Sequence, residues 1–316
     1  MGIRVSHCRM WGVNVGSMLL VAGLFHAGCG QWPGGSSQTL PNQSGGSAHS
    51  ALEQLALERV NRARLLPAAE ATRFGIALDE GIPGQLNAAP RQPLALNQLL
   101  TEAARLHSTD MLNRDYFAHD TPEGLTPFQR MTQAGYAWIT AGENLAWRGT
   151  TGQIDEPAFV EAQHADLFVD TGIAGRGHRV TMLTAGFREI GIAIVSGTFH
   201  YQGTDFKALM QTQDYGASAG NHCFVLGVVY NDLNGNGQYD HGEGVANSTV
   251  TLDGTAKQTN AGGGYTFTIS QTGTYLLQFG AGPAQNLTLA AGGPNLKADL
   301  VDGRTIVINL GLGPLP

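Results

Sequence analysis

The stretch Ile190–Gln213, IGIAIVSGTFHYQGTDFKALMQTQ, decides the fold class. Ile190 to Val195 and Lys207 to Gln213 are apolar, β-forming runs, and the polar, glycine-containing segment between them predicts an antiparallel hairpin. What precedes it is helical in period. Ser50-Ala51-Leu52-Glu53 has the form of a capping box, in which the Ser50 hydroxyl accepts from the Glu53 amide while the Glu53 carboxylate reaches back. Leu52, Leu55, Ala56, Val60 and Ala63 continue that helix until Pro67 closes it or turns the chain out. A second helix is predicted from Asn97 to Asn113, with Leu96, Leu99, Leu100, Ala103, His107 and Met111 on one face, and Pro157 introduces a third through Phe159, Val160, Ala162, Leu167 and Phe168. Helices outside an antiparallel sheet make an α+β sandwich.

Past the hairpin, Gly216-Ala217-Ser218-Ala219-Gly220 reads as an interdomain hinge, and beyond it the helical period vanishes. Tyr265-Thr266-Phe267-Thr268-Ile269-Ser270 alternates apolar and hydroxyl residues, and Tyr275, Leu277, Phe279 and then Ile306, Ile308, Leu310 repeat the device. Short alternating strands with glycine-rich turns predict an all-β sandwich over 222–316. Within it, Asp232-Leu233-Asn234-Gly235-Asn236-Gly237-Gln238-Tyr239-Asp240-His241-Gly242-Glu243 satisfies the spacing of a calcium loop. Side-chain oxygens of Asp232, Asn234 and Asn236, the Gln238 carbonyl, Asp240 directly or through water, and a bidentate Glu243 can surround one ion, while Gly237 allows the bend. The bland alternative is an Asn/Gly-rich turn between strands. No helices are predicted beside the loop, so it is not an EF-hand. With few charged ligands, the expected affinity lies in the weak extracellular range, about 10⁻⁴ M.

The 316 residues suit two domains, and 25 acidic against 18 basic side chains give a formal charge of −7, which argues against a nucleic-acid partner. Residues 1–29 have the form of an export signal: Arg4 and Arg9 make a basic start, Trp11 to Phe25 is charge-free and mostly apolar, and His26-Ala27-Gly28-Cys29 resembles a lipobox at which Cys29 would be acylated. Acylation at Cys29 would place the protein on a membrane. Residues 30–49 are rich in Gly, Ser, Pro and Gln and read as a flexible tether. Of the three cysteines only Cys223 lies beyond the signal, so after cleavage no intramolecular disulfide is available, and Cys223 reads as a small buried hydrophobe.

Ala104-Arg105-Leu106-His107-Ser108-Thr109-Asp110-Met111, Tyr116-Phe117-Ala118-His119, Gly142-Glu143-Asn144-Leu145-Ala146 and Gly177-His178-Arg179, followed by Ile190-Gly191-Ile192 and Thr212-Gln213-Asp214-Tyr215-Gly216, together resemble bacterial CAP domains (cysteine-rich secretory, antigen 5, pathogenesis-related 1) over residues 50–218. The resemblance implies an αβα sandwich with a cleft lined by His119, His178 and Glu143. Two imidazoles and a carboxylate can hold zinc or another divalent ion with open positions. A second family acid would fall at Asp166, where the chain reads Gln163-His164-Ala165-Asp166 without the Trp usual in eukaryotic relatives. His107, on the apolar helix face, reads as a hydrogen-bonded core histidine, and His164 as structural. The second domain resembles SdrD B-like or Cna-B-like immunoglobulin-type repeats of bacterial surface proteins. Three functions stay open: a non-catalytic cell-envelope module that binds a lipid, peptide or cell-wall ligand; a metal-assisted hydrolase of peptides or envelope polymers; and a lipid or sterol carrier.

Overall fold

Residues 3–5 and 50–308 are described by the structure, a computed structural model. The signal-like apolar run, Cys29, the tether 30–49 and Leu310 lie outside the described residues. In chain order the elements of the first domain are β1 (Ile3–Val5), α1 (Ser50–Leu65), α2 (Pro67–Arg73), β2 (Ala95–Leu96), α3 (Gln98–Arg114), α4 (Pro127–Gln133), β3 (Trp138–Thr150), α5 (Glu156–Val169), α6 (Gly177–Met182), β4 (Glu189–Tyr201) and β5 (Thr204–Ser218). The second domain is built from β6 (Cys223–Tyr230), β7 (Thr249–Leu252), β8 (Thr255–Gln258), β9 (Gly264–Ile269), β10 (Gly273–Phe279), β11 (Gln285–Leu289), β12 (Leu296–Val301) and β13 (Arg304–Ile308). No helix among the described residues is long and apolar enough to cross a membrane.

The predicted hairpin is the centre of the first sheet. β4 and β5 pair antiparallel from Glu189–Gly216 to Tyr201–Thr204, and the strand order is β1-β3-β5-β4-β2. Helices cover both faces, as an α+β sandwich requires. Ile190, Ile192 and Ile194 point at Leu55 and Val60 of α1 and at Val160 and Leu167 of α5, whereas Met111 and Leu112 of α3 pack on Leu145, Trp147, Ala208 and Met210. α3 approaches β4 so closely at Gly191 that a Cβ there would stand 2.1 Å from the backbone of Leu100 and Thr101, which explains a glycine inside an otherwise branched strand.

Local signals account for most helix ends. Asn97 caps α3 by accepting from Leu99 and Leu100, and Asp155 caps α5 through Ala158. α1 ends at Leu65, just before Pro67, as expected, and Pro67 itself opens a further short helix, α2, at its first position. The Glu53 carboxylate predicted to close a capping box is instead bound by Arg105 of α3, a stronger charge-assisted contact. The hinge expected at 216–220 is also corrected, because Gly216, Ala217 and Ser218 are paired within β5.

The second domain is two four-stranded sheets, β11-β10-β7-β8 and β13-β12-β6-β9, sharing one core of Val225, Val250, Leu252, Phe267, Leu277, Leu287 and their neighbours. Cys223 is buried, as expected of a small hydrophobe. β6 is apolar at every position but Gly227 because both its faces are covered. Cys223, Val225 and Val229 enter the sandwich, while Val228 and Tyr230 join the core of the first domain and Phe224 and Leu226 pack on Ala95. The sandwich therefore lies against the first domain rather than projecting from it.

Candidate functional site

The outer edge of β3 at Gly142–Asn144 carries the candidate site. β3 pairs with β5 on one side, and β1 covers its other side only at Trp147–Gly149. Side chains alternate across a strand, so Glu143 turns toward the α3/α4 layer and Asn144 toward the α5/α6 layer.

On the first side, His119 Nδ1 stands 2.7 Å from Glu143 Oε1, and Arg130 of α4 donates to Glu143 Oε2 at 2.5 Å. Arg130 also donates to the His119 carbonyl at 2.7 Å, so one guanidinium positions both the loop and its acid. α4 exists because Thr126 and Gln129 form a reciprocal capping box and Pro127 begins the helix, a signal that sequence reading passed over. Burial works against the Glu143 charge, yet Arg130, the His119 hydrogen bond and the adjoining imidazoles hold its carboxyl at about 2. Asp214, paired opposite Glu143 in β5, is fully buried. Burial and the Glu143 charge push its carboxyl well above the ordinary range, opposite in direction to the shift of Glu143.

On the second side, His178 opens α6. Its Nδ1 lies 2.7 Å from Asp170 Oδ1, its backbone amide donates to Asp170 Oδ2 at 2.9 Å, and its carbonyl accepts from Asn144 Nδ2 at 3.1 Å. Asp170, in the left-handed conformation at the end of α5, is thereby the partner of His178 that sequence reading did not find. Arg179 is structural: it donates to the carbonyls of Phe168 and Val169 at the end of α5 and to Leu78.

Both histidine segments thus flank one strand edge, and each ring spends Nδ1 on a buried carboxylate. That fixes each ring plane and favours the proton on Nδ1; the His178 side chain is fully buried, whereas that of His119 is 15% exposed. Glu143 is placed as the orienting partner of His119 rather than as a third member of an ion's shell. Among the described residues no group of three or more His, Cys, Asp and Glu side chains is arranged to hold a metal ion. Asp166, the candidate second acid, is bound by Arg148 through Nε at 2.9 Å and Nη2 at 2.7 Å.

His107 and His164 are explained by packing. His107 Nε2 contacts the Ala118 carbonyl at 2.9 Å, and burial lowers its pKa to about 4, so it is a neutral core residue. His164 Nε2 lies 2.7 Å from Glu70 Oε1 in the interior. Burial opposes the Glu70 charge, but His164 and Arg62 hold its carboxyl at about 2, below the ordinary 4.5. A depressed folded-state value stabilises the fold above pH 4.5, and the benefit is lost as pH falls toward 2. Glu70→Gln is therefore expected to cost about 3 kcal/mol at pH 7, with the gap to the parent closing as pH falls toward 2 in urea melts.

The calcium-type loop folds around its own acids. Asp232 accepts from the amides of Asn236 and Gly237 at 3.1 and 2.8 Å, Glu243 from those of Leu233 and Asp240 at 2.9 and 2.8 Å, and Asp240 Oδ2 from the side-chain amides of Asn234 and Asn236 at 2.7 and 2.6 Å. Gly237 has φ +72°, the left-handed turn that the spacing demanded.

The profile of the cysteine-rich secretory protein family, CAP, matches residues 57–215, half of the chain. An uncharacterized protein of Bacillus subtilis (strain 168), YkwD, is 31% identical over 104 residues, 33% of this chain and 35% of that protein, so the chain spans about a third of this relative's length. Among solved structures, an extracellular protein containing an SCP domain from Bacillus anthracis str. Ames aligns at 18% identity and TM-score 0.32, covering 53% of this chain and 42% of that one. An outer surface protein of Borrelia burgdorferi aligns at 15% identity and TM-score 0.28, covering 40% and 78%. By the family match, the chain belongs to the cysteine-rich secretory protein (CAP) family.

Proposed function

We propose that this is an exported, lipid-anchored cell-envelope protein whose CAP domain binds a ligand at the edge of β3 through His119 and His178. The observation that carries the reading is the pair of imidazoles, each oriented through Nδ1 by a buried carboxylate, on either side of Gly142–Asn144. A ring oriented in this way can meet a polar ligand atom or a divalent cation such as zinc. The hydrolase reading needs a carboxylate able to serve as base, whereas Glu143 is committed to His119 and Arg130. Lipid carriage remains an outcome of the binding experiment below, not a separate proposal. The membrane reading rests on the basic start, the apolar run and Cys29. Cleavage there would also remove β1.

The sandwich is proposed to take calcium at Asp232, Asn234, Asn236, Gln238, Asp240 and Glu243. The convergence of Asn234 and Asn236 on Asp240, with Asp232 buttressed by two loop amides, supports this, since each carboxylate oxygen keeps further lone pairs. When bound, the ion would stiffen the loop, and the loop residues would supply its oxygens. An SdrD B-like or immunoglobulin-like assignment of the sandwich belongs to the same proposal.

The test is depletion of lipid, peptide and peptidoglycan extracts by the purified chain, beside a His119→Ala/His178→Ala variant. The parent is expected to retain one component and the variant to lose it at least about ten-fold, equivalent to 1.4 kcal/mol. Equal retention by both, or turnover of the bound component, would reject the reading.

A further inference from the structure

The loop does not sit in solvent on its own. Three arginines of the CAP domain reach it: Arg62 and Arg73 donate to the Gln238 side-chain oxygen at 2.8 and 3.0 Å, and Arg59 donates to the Tyr239 carbonyl and to Asp240 Oδ1, both at 2.6 Å. These contacts differ in kind. An ion in the loop would use the Gln238 carbonyl, so guanidinium groups on its side chain do not compete with it. Asp232 and Glu243 give their carboxylates to amides of the loop itself. Among the described residues, Asp240 alone is both a candidate ion ligand and the partner of a buried cation.

Arg59 also has somewhere else to go. Its Nε meets Glu161 Oε1 and Oε2 at 2.8 and 2.9 Å, and its side chain is only 5% exposed. With a bidentate carboxylate already in place, losing Asp240 would not strand the guanidinium. We infer that Arg59 is a built-in competitor for the cation loop, holding Asp240 against α1 until a divalent cation takes that carboxylate. This rests on the calcium reading of the loop given above. Coupling is reciprocal: docking of the loop on α1 weakens cation binding, and a bound cation loosens the Arg59–Asp240 contact between the domains. Calcium is thereby tied to how firmly the sandwich is held on the CAP domain.

Calcium titration of the purified full-length chain by calorimetry tests this. Arg59→Met is expected to bind calcium about five-fold more tightly, the effect of removing one partly screened contact charge. Glu161→Gln, which leaves Asp240 as the only carboxylate on Arg59, should bind about two-fold more weakly, and this variant carries the test if Arg59→Met does not fold. Arg73→Met removes a nearby cation that touches only the Gln238 side chain and should change little. An Arg59→Met affinity that is unchanged or weaker, or an equal gain in Arg73→Met, overturns the inference while leaving the calcium site standing. Absence of calcium uptake in every variant, or uptake that survives Asp232→Ala, instead removes the calcium reading and the inference with it.

Discussion

Glu143→Ala is expected to cost about 3 to 5 kcal/mol of stability, the penalty for leaving a buried cation without its partner. Arg130 is buried and would lose the carboxylate that neutralises it, while His119 would lose the acceptor that sets its ring. Asp214 cannot replace it without ionising in a fully buried position. Glu143→Gln separates positioning from charge. It keeps the side chain's shape but no longer selects the Nδ1–H form of His119, so ligand retention should fall while more stability survives, as seen when an orienting carboxylate is neutralised in other histidine sites. Urea denaturation at pH 7 together with ligand retention reads both effects. A Glu143→Ala chain as stable as the parent would contradict this account of the strand edge.

The second large effect concerns the interface between domains. Lys297 of β12 is buried between Asp299 and Glu58 of α1, and its Nζ lies 3.0 Å from Glu58 Oε2. Burial works against the ammonium, yet the two carboxylates more than offset it and keep Lys297 protonated. Lys297→Met would leave both acids facing one another in the interior, at a cost of about 3 to 5 kcal/mol. All four tryptophans precede residue 150, so indole fluorescence is blind to the sandwich, and the buried Trp147 reports the CAP domain. A substitution in the sandwich should nevertheless lower the midpoint read by Trp147, because α1 is held by both halves. A sandwich that melts first while the indole signal stays put would show that the halves unfold independently.

Much of this architecture was legible in the sequence. The Ile190–Gln213 hairpin, the helix begun by Asn97 and the core role of His107 all follow from local periodicity and turn chemistry. The candidates His119, Glu143 and His178 came instead from the family resemblance, whose motifs are short ordered segments. What was illegible is partner choice. Asp170 ends a helix and Asp214 sits in a strand, and nothing local marks one as the acid of His178 or the other as the buried acid paired opposite Glu143. Glu53 satisfied a capping pattern yet meets Arg105 from another helix, a partner 52 positions away in sequence. Gly216 has a turn-former's composition but lies in a paired strand, where a Cβ would stand 2.6 Å from the Tyr136 ring. The run Cys223–Tyr230 was apolar at both parities, and that doubling was the one available signal that the sandwich has a second buried face.

The central proposal is that the buried carboxylates hold the proton of His119 and of His178 on Nδ1 and that both rings respond to one ligand. Nitrogen-15 spectra of the histidine rings in the full-length chain, recorded before and after one equivalent of zinc, test it most directly. The account predicts unprotonated Nε2 on both rings at neutral pH and a shift of both Nε2 resonances in the same titration step. Protonated Nε2 on either ring before zinc is added, or zinc that moves one ring and leaves the other untouched, would contradict it.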